Sequence, residues 1–141
     1  MGKKKIKPKR RKKIAGKSVL IPQPEQGSTD GDSPVFSFKY CDNNKFVLWD
    51  LSKPELMRLM DFFKQAERLT WGEIIKQRKR GLRYDSRSTN EIKYKLPNDL
   101  SEDLTLIHLA MSGRGRVWGF RDGRIFHIIW FDKDHKVDKM S

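Results

Sequence analysis

The chain has 141 residues, 31 of them Lys or Arg against 18 Asp or Glu, a formal net charge of +13. No apolar run approaches the ~20 residues that span a bilayer, and the lone Cys41 excludes an internal disulfide. The length suits one domain, and the charge points to a polyanionic partner.

The first seventeen residues, MGKKKIKPKRRKKIAGK, hold ten Lys or Arg and no acid. Like charges at that density cannot pack into a core. The segment therefore reads as a disordered basic arm that finds phosphate, with Lys3, Lys4, Lys5, Lys7, Lys9, Arg10, Arg11, Lys12 and Lys13 as nucleic-acid contacts. It lacks the interleaved large apolar residues of an interfacial helix, the Ser or Thr of a myristoylation signal and an apolar h-region. A membrane partner is not expected, and a cytoplasmic location is. KPKRRKK would also serve as a nuclear localisation signal. Residues 1–33 carry a net +7, which leaves +6 on residues 34–141, so the body is basic in its own right.

Ser18 to Ser33 is a linker in which Pro22, Pro24 and Gly27 block regular structure, and the folded domain is expected over 34–141. Val35 to Cys41 alternates Phe36, Phe38 and Tyr40 against Ser37 and Lys39, the period of a half-buried strand. Asp42-Asn43-Asn44 makes a turn, and Phe46 to Leu51 reads as a second strand in a hairpin with the first. Ser52 and Glu55 form a capping box flanked by Leu51 and Leu56, opening a helix to about Arg68 that buries Leu56, Leu59, Met60, Phe63 and Ala66. Thr70 and Glu73 repeat the arrangement for a second helix that Gly81 stops.

Lys76 to Asn90 is a basic, exposed helix end and loop, with Arg78, Lys79, Arg80 and Arg83 placed to track a phosphate backbone. Tyr94 and Leu96 mark a short edge strand, broken by Pro97-Asn98-Asp99. Leu104 to Met111 and Arg116 to Phe120 are strands, and Asp122-Gly123 is the strongest hairpin signal in the chain. Ile125 to Phe131 returns as the most hydrophobic strand. The order β-β-α-α-β-β-β-β implies an α+β domain, an antiparallel sheet packed on one face by a helical pair. Trp118, Phe120, Phe126 and Trp130 read as core rather than as a base-stacking platform. Gly113, Gly115 and Gly119 fit no nucleotide fingerprint and read as turn and close-packing glycines.

The helix pair at 53–80, the hairpin RVWGFRDGRIFHIIWF at 116–131 and the terminal Asp132-Lys133-Asp134-His135-Lys136 together resemble the RelE/ParE superfamily of bacterial toxins over residues 45–136. The strand before the helices and the arm are additions to that pattern. The resemblance implies one of two activities: metal-independent endoribonuclease action on ribosome-associated messenger RNA, or ParE-like inhibition of a protein target. It also implies an antitoxin partner. Cleavage through the RNA 2′-hydroxyl needs a proton acceptor, cations on the phosphate and a donor to the leaving oxygen. The candidates are His135, Lys136, Arg116, Arg121 and His127, with Arg124 as a further phosphate contact. His127 shares its strand face with apolar neighbours and His108 alternates with Leu104, Leu106 and Ala110, so both also read as structural.

No cofactor is expected. Asp132-x-x-His135 supplies two metal ligands where a structural zinc site needs four, and Cys41 cannot complete the set. A non-enzymatic RNA- or DNA-binding module using the arm is the alternative to an enzyme.

Overall fold

Two reciprocal capping boxes set the helices, as their spacing requires. The Ser52 hydroxyl accepts from the Glu55 N–H (3.3 Å) while the Glu55 carboxylate accepts from the Ser52 N–H (2.7 Å), opening α1, Lys53–Glu67. Thr70 and Glu73 do the same at 3.2 and 2.9 Å for α2, Trp71–Ile75. The computed structural model describes residues 28–97 and 100–140, so the basic arm, Lys3 to Lys13 included, lies outside the described residues.

The buried stripe of α1 is Leu59, Phe62 and Ala66; Leu56 and Met60 are exposed and Phe63 is half-buried. The helix carries two apolar stripes one residue apart, and the sheet takes the one containing Phe62. The second helix is shorter than expected. The Gln77 side chain accepts from the Leu82 N–H (2.8 Å), and the Gln77 carbonyl from the Tyr84 N–H (2.7 Å). Gly81, at φ +59°, makes this loop possible by adopting a conformation costly for other residues.

Among the described residues five strands form a mixed sheet: β1 (Val35–Ser37), β2 (Asp85–Ser88), β3 (Thr105–Ala110), β4 (Arg116–Asp122) and β5 (Ile125–Asp132). Their spatial order is β1-β5-β4-β3-β2, antiparallel from β2 to β5, with β1 added parallel to β5. The expected N-terminal hairpin is therefore absent. Beyond β1 the Asp42 carboxylate accepts from the Asn44 and Lys45 N–H groups (2.8 and 3.3 Å), closing a tight turn. Phe46 then takes φ +52°, and Leu48–Asp50 forms a 3-10 turn with Leu48 and Trp49 exposed. Val47 and Leu51, four residues apart, are the buried pair, a helical rather than a strand spacing. The β2 segment, DSRS, has no apolar alternation to betray it and forms as a polar edge strand on β3.

The hairpin at Asp122-Gly123 forms as expected, Gly123 at φ +62°. A bulge opposite Trp118/Gly119 leaves Ile129 without a partner on β4 and sends Ile129 and Trp130 to the same face. One face of the sheet packs Val117, Phe126, Ile128 and Phe131 against α1 and α2. The other buries Trp118, Phe120, Ile129 and Trp130 under Tyr40, Ile92, Leu100 and Val137. Tyr94 and Leu96 belong to this loop cover and form no strand; Ile92 instead makes an isolated antiparallel bridge to Asp138. Strand aromatics thus fill the core on both faces.

The fold begins upstream of Pro34. The Trp71 N–H donates to the Asp32 carbonyl (2.9 Å) and the Gly72 N–H to the Asp30 carbonyl (2.8 Å). Arg121 reaches Thr29 Oγ1 (2.9 Å) and Asp30 Oδ1 (2.7 Å). Among the described residues no helix is long and apolar enough to cross a membrane.

Candidate active site

The C-terminal turn after β5 is built around one carboxylate. Asp132 is fully buried and accepts from Trp118 Nε1 (3.1 Å), the Lys136 N–H (2.8 Å) and the Val137 N–H (2.9 Å). This tight closure puts His135 at φ +55°, a conformation uncommon for a residue with a Cβ. Lys93 N–H to Val137 carbonyl (2.8 Å) and Lys139 N–H to Glu91 carbonyl (3.0 Å) then strap the tail to residues 91–93. The strap carries Asp138 beneath the sheet face.

Three side chains converge there. His108 Nε2 and His135 Nε2 each lie 3.8 Å from Asp138 Oδ2, too far for a hydrogen bond. All three ligand atoms fall within 4.8 Å of one another, so among the described residues these are the ones able to hold a metal. The His108 side chain is 5% exposed, and among the described residues neither of its ring nitrogens has a hydrogen-bond partner; buried His135 Nε2 has none either. Trp118 packs against His108 at 4.5 Å between ring centroids. Arg87 holds Asp138 through Nε (3.1 and 3.2 Å) and Nη2 (2.9 Å) and bridges to Asp85 (2.9 Å). Burial, then Arg87 and His135, push the His108 pKa down to about 4, and burial and Arg116 push His135 down as well. Arg87 and the Met140 N–H, which donates to Asp138 Oδ1 (3.0 Å), help hold the Asp138 carboxyl below its usual value against the effect of burial.

Outside this cluster an open hollow of about 450 Å³ is lined by Lys93, Arg114, Asp134, His135 and Lys136. Arg116 stands close by, its Nη1 donating to the carbonyls of Ser112, Gly113 and Gly115 at 3.4, 3.2 and 3.0 Å. Burial, with Arg83 nearby, lowers the Arg116 pKa from its usual value.

Of the residues singled out in the sequence, His135, Lys136 and Arg116 come together, and Arg83 borders them. Arg121 and His127 do not. Arg121 lies over the Trp71 ring at 4.5 Å on the helical face, tied to Asp30, and staples the chain before β1 to the hairpin. His127 lies toward the hairpin end of β5, stacked on Phe120 (4.8 Å) and beside Tyr40 (5.1 Å). Arg124 is exposed in the hairpin turn, where its backbone carbonyl accepts from Trp71 Nε1 (3.0 Å). Arg78 pairs with Asp85 (3.1 Å), and Lys79 and Arg80 are exposed in the loop after α2. Cys41 is half-buried, and burial with neighbouring Asp42 pushes its thiol up to about 11, which disfavours the thiolate a nucleophile needs.

His108, Asp138, Arg87, Lys93 and Arg114 were not singled out as site residues. His108 carries the alternation of a core strand, and Asp138 sits in a charged tail with no local signal. Comparison with known protein families, with curated protein sequences and with solved structures finds no match.

His127, away from the site, gives the fold a testable pH dependence. Burial and Lys39 lower its pKa to about 4, against about 6.5 in an unfolded chain. Between those values the unfolded chain takes up a proton that the folded chain refuses, so stability falls as pH drops from 6.5 toward 4 and is level, for this group, above 6.5. Urea unfolding at pH 7 and pH 5 should show His127→Phe losing about 1–2 kcal/mol less than the parent across that interval. Equal losses would show that His127 does not titrate in this window.

Proposed function

We propose that this chain acts on RNA as a RelE-like endoribonuclease, with the hollow at the C-terminal turn as its active site. One observation carries the reading: a strained turn presents His135 in a hollow lined by the cations of Lys93, Arg114 and Lys136 against the single acid Asp134, a setting for a phosphodiester. The α+β layout, with a helix pair before the β4–β5 hairpin, and the net charge of +13 support it. Lys93, Arg114 and Lys136 hold the phosphate, Arg116 shapes the adjoining turn, and His135 stands at the reacting phosphate. Arg121 and His127 drop out of the reading because their neighbours are elsewhere in the fold. The chain works in the cytoplasm on ribosome-associated message, and the basic arm adds affinity without sequence preference.

The test is RNA integrity, in a bacterial host after induction and in a purified reaction. His135→Ala should reduce cleavage by about 100-fold or more while RNA affinity is kept. Lys136→Ala and Arg114→Ala should each weaken binding and reduce the salt slope by about one. Intact RNA in the presence of soluble, folded protein would reject the enzyme and leave the binding module.

A second reading, a ParE-like grip on a protein target or on an antitoxin, is favoured by α1. Leu56, Met57 and Met60 are exposed on it, with Trp49 exposed in the turn before it. A stable, salt-resistant complex with a protein, lost on Met60→Glu, would support that reading over the first.

A further inference from the structure

The geometry points to a divalent transition-metal site formed by His108 Nε2, His135 Nε2 and Asp138 Oδ2, with zinc as the best-fitting ion. This inference goes beyond the RNA reading and does not depend on it; both engage His135, and zinc binding is read by calorimetry rather than by RNA cleavage.

Three observations agree. His108 Nε2 and His135 Nε2 each stand 3.8 Å from Asp138 Oδ2 with neither imidazole nitrogen hydrogen-bonded, while Oδ2 keeps the Arg87 Nε and Nη2 donors at 3.2 and 2.9 Å. Ligands about 2.0–2.1 Å from a tetrahedral metal stand about 3.3 Å apart, so shifts of under about 1 Å close the set. The second observation is His108 itself: a buried ring with two unpartnered nitrogens is costly, and a metal on Nε2 removes half of that deficit. Third, the supporting shell is in place. Arg87 and the Met140 N–H fix the Asp138 carboxylate, Trp118 fixes the His108 ring, and Asp132 fixes the turn that carries His135.

Two imidazoles and one carboxylate suit zinc and its first-row neighbours and do not suit magnesium or calcium, which take oxygen ligands. Three protein ligands leave a coordination position open, the pattern of an exchangeable or catalytic site rather than a closed structural one. His135 also lines the hollow, so the site borders the basic groove. The sequence argues against a metal by counting ligands near Asp132; folding brings in His108 from β3 and Asp138 from the strap.

Zinc is titrated into the full-length protein after chelator dialysis, followed by calorimetry and by the unfolding temperature. The arm cannot contribute a site, because residues 1–17 contain no His, Cys or acid. One equivalent should bind at micromolar affinity or tighter and raise the unfolding temperature. His135→Ala and His108→Leu should each weaken binding by at least about 100-fold and abolish the rise. His135 is 22% exposed at its side chain, so its variant keeps the test available if His108→Leu does not fold. Absence of saturable binding overturns the site, as does equal binding by the parent and a folded variant.

Discussion

Gly119→Ala should destabilise the domain by at least about 3 kcal/mol, and Gly119→Val should prevent folding at ordinary temperatures. A methyl group on Gly119 would overlap the His127 carbonyl oxygen and approach Phe126 Cζ to 2.9 Å. The first obstacle is backbone of the neighbouring strand, which has no rotamer to change. The second is a fully buried ring in the main core. Neither can retreat, because β4 is hydrogen-bonded on both sides and the bulge beside Gly119 already sets the register of β5. Gly113→Ala is the control: nothing lies within 4 Å of its added carbon, and the change should stay within about 0.5 kcal/mol. Chemical denaturation of the two variants distinguishes them. Similar midpoints would mean that the bulge relaxes and that the strand packing is less tight than its geometry requires.

Asp132→Ala is the second large effect, an expected loss of about 3–5 kcal/mol together with loss of function at the C-terminal turn. The substitution leaves three donors, Trp118 Nε1 and the Lys136 and Val137 N–H groups, without their acceptor. Asp132→Asn keeps one acceptor oxygen and should cost less, about 1–2 kcal/mol. Asp132 positions His135 without facing the hollow. On the proposed readings, folded Asp132→Asn protein should therefore show weakened metal affinity and RNA cleavage, while any RNA affinity supplied by the exposed lysines and arginines is retained. Unchanged metal affinity and cleavage in Asp132→Asn would separate the turn from the site.

Local chemistry was the legible part of this chain. The pairs Ser52/Glu55 and Thr70/Glu73 and the Asp122-Gly123 dipeptide declare their structures within a few residues, and the apolar runs of β3, β4 and β5 declare theirs. Where the deciding interaction was distant, the sequence was silent. Nothing in VFS announces a parallel pairing with IFH ninety positions later, and nothing in DSRS announces a strand, since its order comes from β3. Phe46 to Leu51 has the apolar content of a strand, but Val47 and Leu51, its buried pair, have helical spacing. Simple alternation puts His127, Ile129 and Phe131 on one face of β5, but the bulge moves Phe131 to the other.

The candidate site followed the same rule. His135, Lys136 and Arg116 were found because they cluster near the end of a hairpin already visible in the sequence. Asp138 and His108 are thirty residues apart and become neighbours only through the strap to residues 91–93.

The pairing of β1 with β5 also sets when the domain can form. Val35 hydrogen-bonds to the Arg124 carbonyl and Arg121 clamps Asp30, so the first strand has no sheet to join until the last has been made. A nascent chain still missing β5 holds α1 and α2 with their apolar stripes uncovered. Closing a loop of that length before any sheet contact rewards it slows folding. The protein should therefore fold late and in one step, after its final strand clears the ribosome, and depend until then on whatever shields Phe62 and Trp71.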